Sequence, residues 1–247
     1  MEDNNVKKKR KKKKMSIGKR IALIVVISVF VVGAGIFLFP FINDWYHKGL
    51  NSKAIAEFSE KAESKTLTAD YAGLRKALEE YNKSLVEKGQ GKIVDVDGYE
   101  IFPVDISKYG LPNDMIGYIS IPAIGENLPI YLGADYNHMA NGTAVLGQTS
   151  APIGGNNTNT VIAGHRGFYG ATMFKYIGKL NPGDHIYITN PWEKLDYKVT
   201  ERIIINPNEF DKVLIQKDKD MITLQTCEPY GATGKYRMLV YAERVKG

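Results

Sequence analysis

The sequence predicts a mainly β-stranded domain, a sandwich or a barrel, that follows an apolar N-terminal segment and two helices. From residue 115 onward, short apolar or alternating runs are separated by turn-forming clusters such as IPAIGEN, APIGGNN and NPGD. Roughly eight short strands at this spacing, with one short helix around 171–179, are typical of these architectures. The predicted strands are 115–121, 128–132, 143–147, 159–163, 185–190, 194–205, 220–226 and 236–244.

The net charge of +6 belongs to the N-terminal tail and not to this domain. Residues 1–20 contain ten Lys or Arg against Glu2 and Asp3, a net charge of +8. The other 227 residues contain 23 basic and 25 acidic side chains and therefore carry −2. Because a nucleic-acid-binding domain concentrates basic residues on its own surface, we expect no nucleic-acid partner.

Residues 21–42 form an uncharged apolar segment of 22 residues, long enough to span a hydrocarbon core of about 30 Å as a helix. A cleaved signal peptide is the alternative, but its apolar core is usually about 7–15 residues long. The eight consecutive basic residues at 7–14 predict a cytoplasmic N-terminus, with everything after residue 43 outside the cell. No second apolar run of that length follows, so we expect a single-pass membrane protein.

Two helices are predicted between this segment and the strands, at 44–64 and 68–88. Thr68 is placed to cap the second helix, and Gly89 follows its last turn. We expect these helices to form a stalk or a helical hairpin that joins the membrane to the domain. Residues 89–114 are rich in turn formers and form either a surface connector or a mobile cover over a groove.

Cys227 is the only cysteine of the chain, at the end of the predicted strand MITLQTC. Strand alternation places it on the face opposite Ile222 and Leu224. An external free thiol is a chemical liability unless it is buried or used. A lone cysteine is either a small buried hydrophobic residue or a nucleophile, and the residue types leave both interpretations open.

His165 and Arg237 also stand at predicted strand ends, in VIAGHRG and YRMLVYAERV. A nucleophilic thiol needs a nearby base or cation, and acyl transfer needs a donor for the oxyanion. Cys227, His165 and Arg237 meet these needs if the strand ends converge on one rim. The alternatives are a solvated turn at His165 and Arg166, and a surface ion pair at Arg237.

The remaining histidines are weaker candidates. His138, in the polar loop YNHMANG, is the main rival to His165, while His47 lies beside the apolar segment and His185 begins a strand. No cluster of His, Cys or carboxylates has the spacing of zinc ligands, and no glycine-rich phosphate-binding motif occurs. We therefore expect no metal and no organic cofactor.

Several segments, taken in order, resemble the sortases, the membrane-anchored cysteine transpeptidases of Gram-positive bacteria. TLQTC at 223–227 matches the family's TLxTC signature, VIAGHRG at 161–167 matches its histidine segment, and Arg237 falls where the family has its arginine. IGYISIPAIGENLPIY at 116–131 and GQTSAPIGG at 147–155 resemble the opening strands and the loop before the histidine strand. The similarity covers more than half of the chain.

This resemblance implies an eight-stranded β-barrel of the sortase type at 115–247. The preceding parts would be a cytoplasmic tail at 1–20, a transmembrane helix at 21–42, and a helical stalk with a connector or lid at 43–114. CEPYG, GQTSAPIGG and the helical segment resemble class C sortases, which polymerise pilins. Class C enzymes usually also carry a C-terminal transmembrane helix and a lid with an Asp-Pro-aromatic motif, and neither pattern occurs here.

The resemblance also implies cleavage of an LPxTG-like sorting signal between Thr and Gly. Cys227 would attack the carbonyl and form a thioacyl-enzyme, and Arg237 would hold the oxyanion or the signal's backbone. His165 would protonate the departing amine and then accept a proton from the incoming one. The implied partners are the membrane, LPxTG-type surface proteins or pilins, and an amine acceptor.

The acceptor stays open at this point. A pilin lysine would make the chain a pilus polymerase, and a peptidoglycan precursor amine would make it a housekeeping-type anchoring enzyme. A non-catalytic membrane-tethered binding domain is an alternative of another class, although it leaves Cys227, His165 and Arg237 unexplained. A simple hydrolytic cysteine protease is a third, and it predicts that added amine leaves the product unchanged.

Overall fold

The computed structural model describes residues 16–63, 70–90, 101–111, 115–231 and 234–245. Three α-helices and eight β-strands make up the regular structure of these residues, together with short 3₁₀ turns. The helices are α1 Ile17–Glu63, α2 Tyr71–Glu87 and α3 Tyr136–Asn141. The strands are β1 Met115–Ile121, β2 Glu126–Leu132, β3 Thr143–Val145, β4 Thr158–Ala163, β5 His185–Thr189, β6 Lys194–Ile205, β7 Asp220–Glu228 and β8 Tyr236–Arg244.

The eight strands close into a barrel in the order β1-β2-β3-β4-β7-β8-β6-β5. The pairs β2–β3 and β4–β7 are parallel, and the other pairs are antiparallel. Closure leaves no exposed sheet edge, which disposes of the unpaired backbone groups that an open sheet would present. The predicted mainly-β fold is therefore confirmed, and its eight strands form a barrel and not a sandwich.

Two apolar clusters hold the barrel together, one on each face of the sheet. Alternate residues of β7, Ile222 and Leu224, are fully buried in the larger cluster. Met221 of the same strand joins a second cluster with Val161 and Leu239. A 3₁₀ turn at Phe210–Val213, in the β6–β7 connection, covers this second cluster. The alternation predicted for β7 is confirmed.

Helix α1 runs without interruption from the apolar segment to the side of the barrel. Its side chains are exposed over most of residues 17–46, and it is long and apolar enough to cross a membrane. Farther along, Asn51 and Phe58 are buried, and the Phe58 ring packs edge-on against Tyr118 of β1 at 6.4 Å. The C-terminal part of α1, around residues 51–58, therefore lies against the barrel.

Asp70, and not Thr68, caps helix α2. The Asp70 Oδ1 atom accepts a hydrogen bond from Gly73 N at 2.8 Å, which satisfies one of the unpaired amides of the first turn. Thr68 itself lies outside the described residues. Leu74 and Leu78 of α2 are fully buried in the main cluster, so this helix is also part of the folded domain.

Two local predictions were wrong. The segment 171–179 is not a helix, because Met173 has a positive φ of 42° that interrupts helical geometry, and only Ile177–Lys179 forms a 3₁₀ turn. The polar loop around His138 contains helix α3, which begins after Asp135; the Asp135 Oδ1 atom accepts from His138 N at 3.0 Å. Six residues are too short for a periodic apolar signal to reveal a helix.

Candidate active site

Cys227 and Arg237 face each other across the β7–β8 pair. They are direct register partners at the end of β7 and the start of β8. The connecting turn returns through Gly234, whose φ is +64°; a Cβ on this glycine would lie 3.2 Å from Cys227 Sγ. The Arg237 Nη1 atom donates to the carbonyls of Gly234 at 2.6 Å and Tyr236 at 3.1 Å. The guanidinium is thus held beside the thiol by its own turn.

His165 reaches the same rim because β4 and β7 are parallel neighbours. Ala163 of β4 pairs with Gln225 of β7, so both strands end at one edge of the barrel. Two hydrogen bonds continue the pairing past the strand end, from Gly164 N to the Gln225 carbonyl at 3.0 Å and from Thr226 Oγ1 to the Gly164 carbonyl at 2.7 Å. His165 directly follows Gly164, and Cys227 directly follows Thr226, so the two side chains leave neighbouring strands at the same level.

The three side chains line one groove of about 220 Å³. The strand ends therefore do converge on one rim, which is the condition that the sequence left open. The rest of the lining is mostly apolar and comes from the second cluster, from α3 and from the β6–β7 connection: Ala134, Met139, Leu146, Ala163, Ile205, Pro207, Phe210 and Val213, with Glu209 as a charged member. Such a groove suits an extended peptide with apolar side chains.

The His165 ring is half-buried and stacked face to face on Phe168, with ring centroids 4.7 Å apart and planes 9° from parallel. Burial lowers the pKa of His165 below its ordinary value of about 6.5. The Phe174 amide donates to the His165 carbonyl at 3.0 Å, so the backbone of His165 is also held in place. Packing and desolvation thus fix the ring and favour its neutral form.

The rival histidines lie elsewhere. His138 stacks on Tyr131 at 5.0 Å, and its Nδ1 atom lies 2.8 Å from the Gly133 carbonyl. His185 Nδ1 lies 2.8 Å from Asp196 on the β5–β6 pair. In the part of the chain that the structure describes, no group of three or more His, Cys, Asp or Glu side chains is arranged to hold a metal ion.

A family model described as the Sortase domain matches residues 119–245, just over half of the 247 residues. The chain belongs to the sortase family. It is accordingly a cysteine transpeptidase, and the barrel described above is that of a sortase.

Solved structures and curated proteins extend the similarity. Pilus-related sortase C of Group B Streptococcus is 34% identical with a TM-score of 0.65, covering 76% of this chain and 95% of that one. Sortase C of Clostridium perfringens, solved with the C-terminal cell wall sorting motif, is 32% identical with a TM-score of 0.66, covering 79% and 100%. Sortase D of Bacillus subtilis strain 168 is 27% identical over 131 residues, which are 52% of this chain and 63% of that protein. The chain thus matches less than two thirds of the length of this curated relative.

Sequence reasoning missed one pair next to the candidate site residues, Arg166 and Glu228. Their side chains form an ion pair and are only 17% and 18% exposed, so Arg166 is not part of a solvated turn. Arg166 Nη1 also donates to the Cys227 carbonyl at 3.3 Å. The pKa of Arg166 is lowered from its ordinary value, because the effect of burial is larger than the opposing effect of the Cys227 side chain. The available signal was that each residue directly follows a candidate site residue, His165 or Cys227, at the end of its strand.

Replacing Arg166 with methionine is expected to destabilise the domain by about 1–3 kcal/mol, because Glu228 would keep its partly buried charge without its partner. Thermal unfolding of the full chain measures this loss. Glu243→Gln is a matched control, since its pair with Lys219 is 41% exposed on both sides and is expected to contribute less than about 1 kcal/mol. Equal losses in the two variants would show that the Arg166–Glu228 pair has no special structural role.

Arg244 and the connector lie outside the groove. Arg244 stands at the far end of β8, 3.8 Å from Glu193 and over the Tyr197 ring at 5.5 Å. The described part of the connector, residues 89–90 and 101–111, packs against α2 and the barrel, for example through Phe102 on Tyr81 at 4.8 Å. None of these described residues lines the groove, whereas the predictions for 91–100 and 112–114 lie outside the described residues.

Proposed function

We propose that Cys227, His165 and Arg237 catalyse transpeptidation of an LPxTG-like sorting signal. The observation that supports this most directly is the shared groove, in which Cys227 and Arg237 are register partners and His165 stands at the end of the neighbouring parallel strand. The solved C. perfringens sortase C with a cell wall sorting motif supports a peptide of this class as the donor.

In the proposed reaction the neutral His165 imidazole takes the proton of the Cys227 thiol, and the resulting thiolate attacks the Thr carbonyl carbon of the signal. The tetrahedral oxyanion is stabilised by Arg237, whose Nη1 atom donates to the Gly234 and Tyr236 carbonyls and so holds the guanidinium in place. His165 gives a proton to the Gly nitrogen as the C–N bond breaks, leaving a thioacyl-enzyme. The incoming amine then attacks the thioester, His165 takes its proton, and the Cys227 thiolate leaves. The peptide bond broken and the amide bond formed balance, so the scheme requires no further reactant.

A pilin lysine is the acceptor that we propose, which makes the protein a pilus polymerase. The support is the similarity to sortases C, one of which is described as pilus-related. A peptidoglycan precursor amine remains the alternative acceptor, as in an anchoring sortase. The two amines differ in their surroundings and not in the chemistry that Cys227 performs, so the acceptor must be tested directly.

We also propose that residues 21–42 anchor the chain in the cell membrane in a single pass. The structural support is the exposed apolar surface of α1, and the basic tail supports a cytoplasmic N-terminus. The catalytic barrel at 115–247 would then lie outside the cell, where sorting signals and acceptor amines become available after secretion.

The test is ligation by the full-length protein in detergent micelles. A fluorescent LPxTG-type peptide is incubated with a lysine-containing pilin fragment or with a peptidoglycan-type amine, and mass spectrometry follows the products. Transfer to the lysine supports the polymerase, and preference for the peptidoglycan-type amine supports the anchoring enzyme. Hydrolysis unaffected by either amine would show a protease. Absence of cleavage together with a Cys227 that resists thiol labelling would contradict the proposed catalytic site.

Replacing Arg237 with alanine is expected to lower kcat/KM by about 10²–10³-fold, because one oxyanion donor contributes an effect of this size. Steady-state ligation of the peptide measures it. Arg244→Ala is the matched control, since it removes the same side chain from the far end of the same strand; we expect its activity to stay within about threefold of the unmodified protein. Similar losses in the two variants would assign Arg237 a structural role.

A further inference from the structure

The loop that follows His165 leaves the barrel and packs on helix α1 at the end of the apolar segment. The Asn43 side-chain amide donates to the Tyr169 carbonyl. Gly170 approaches the helix so closely that a Cβ would lie 3.0 Å from Pro40 Cα, and its φ is +100°. Only glycine meets both requirements without strain. The close approach of the loop to α1 at Pro40 therefore depends on a glycine at position 170.

Asp44 makes the strongest of these contacts. Its Oδ1 atom accepts two hydrogen bonds from Thr172, from the backbone N at 2.8 Å and from Oγ1 at 2.5 Å. Lys48, one helical turn farther along, lies 2.9 Å from the other carboxylate oxygen. Burial by itself would raise the pKa of Asp44, but the bonds from Thr172 and Lys48 outweigh it and lower the pKa. The carboxylate is therefore charged and fixed in place.

Thr172 also connects the loop to the barrel. It lies close to Glu126, the first residue of β2, which is only 3% exposed. Burial raises the pKa of Glu126, and the contacts with Thr172 and Lys48 act in the opposite direction. The side chains of α1, of β2 and of the loop thus meet at one residue, and this junction fixes the end of the loop that is remote from the groove.

The other end of the same loop carries the catalytic histidine. Phe168 and Ala171 bond to each other through both backbone amides, at 3.0 and 2.9 Å, and so close a small rigid turn. The Phe168 ring at the start of this turn is the one stacked on His165. A short and internally bonded loop therefore joins the helix contact at Thr172 to the imidazole contact at Phe168.

We infer that Asp44 is a positioning residue for His165, acting through the loop of residues 166–173. The carboxylate touches neither the groove nor the proposed reacting atoms, and it holds Thr172, which in turn holds Phe168 against the imidazole. This inference rests on the proposed role of His165 in acid–base chemistry. It makes the first turn of α1 beyond the apolar segment part of the catalytic apparatus, in addition to its role as a tether.

The experiment compares Asp44→Ala with Asp44→Asn in the full-length protein in detergent micelles. Alanine removes the acceptor, and we expect kcat to fall about tenfold with KM changed less than twofold, since small misplacements of a catalytic group are costly. Asparagine keeps a side-chain oxygen that can accept both bonds from Thr172, and we expect kcat within about threefold of the unmodified protein. Glu57→Ala, whose side chain is exposed and lies 3.9 Å from Lys53 on the same helix, is the control and should have no effect.

A double variant decides whether Asp44 acts through His165. In a His165→Ala background, Asp44→Ala is expected to cause no further loss of kcat, because there is no imidazole left to position. Should Asp44→Ala fail to fold in thermal unfolding measurements, Thr172→Val, which removes only the hydroxyl donor, serves in its place, with an expected loss of about threefold.

Three outcomes would overturn the inference: full activity of Asp44→Ala, an equal loss in Asp44→Asn, or a full additional loss in the His165→Ala background. Failure of the proposed function would be seen separately, because it would appear as an inactive unmodified protein or as an active Cys227→Ala variant.

Discussion

Replacing Cys227 with alanine is expected to lower the ligation rate by about 10⁴-fold or more, to the level of the uncatalysed background. The thiolate forms the bond that conserves the energy of the cleaved amide, and no other cysteine exists in the chain to replace it. Arg237 and the apolar groove would still bind the signal, but neither supplies a nucleophile. Mass spectrometry measures the effect as the disappearance of both the ligated product and the thioacyl-enzyme.

Peptide binding separates this effect from a loss of structure. Cys227 is half-buried at the mouth of the groove, so its alanine variant should fold normally and bind the signal peptide with an affinity within about threefold of the unmodified protein. A variant that binds the peptide and still ligates it at an undiminished rate would refute covalent catalysis by Cys227.

Replacing His165 with alanine is expected to lower kcat/KM by about 10²–10⁴-fold, the usual range for loss of a general acid or base. The amide nitrogen of the leaving glycine is a poor leaving group until it is protonated, and the imidazole stands at the rim beside the thiol. Steady-state ligation measures the loss. His138→Ala is the matched control, because its ring faces Tyr131 and the Gly133 carbonyl; it should lower the rate less than twofold.

A substrate with an ester in place of the Thr–Gly amide tests the assigned role of His165. An alkoxide leaves with less help from an acid than an amine does, so the His165→Ala variant should recover at least about tenfold in relative rate on the ester. Identical losses on the amide and ester substrates would show that His165 does not protonate the leaving group.

The sequence predicts the parts of this site that depend on local pattern. Cys227 and Arg237 flank one hairpin turn, so the antiparallel pairing that joins them follows from strand periodicity and turn residues alone. The convergence of His165 is of another kind. It depends on the parallel pairing of β4 with β7, which are separated by two intervening strands in the chain, and periodicity contains no information about such a pairing.

What escaped prediction depends on contacts between remote residues or on single backbone angles. The ion pair of Arg166 with Glu228 joins positions 62 residues apart in the chain, and it is visible only once both strand ends are on one rim. The positive φ of Met173 interrupts a segment whose apolar spacing suits a helix. The contact of Asp44 with Thr172 spans 128 residues. The sequence of α1 predicts only a stalk helix and contains no pattern that indicates this contact.

If residues 21–42 span the bilayer, the packing of Gly170 against Pro40 fixes the height of the barrel above it. Pro40 stands two residues before the end of the 21–42 segment, about 3 Å along the helix axis, so the loop behind His165 rests close to the plane of the lipid headgroups when that segment spans the bilayer. Because the loop is fixed on α1, the groove is held near the end of the 21–42 segment and cannot move away from it on a flexible linker. If that segment spans the bilayer, donor and acceptor must both reach the groove at this fixed level.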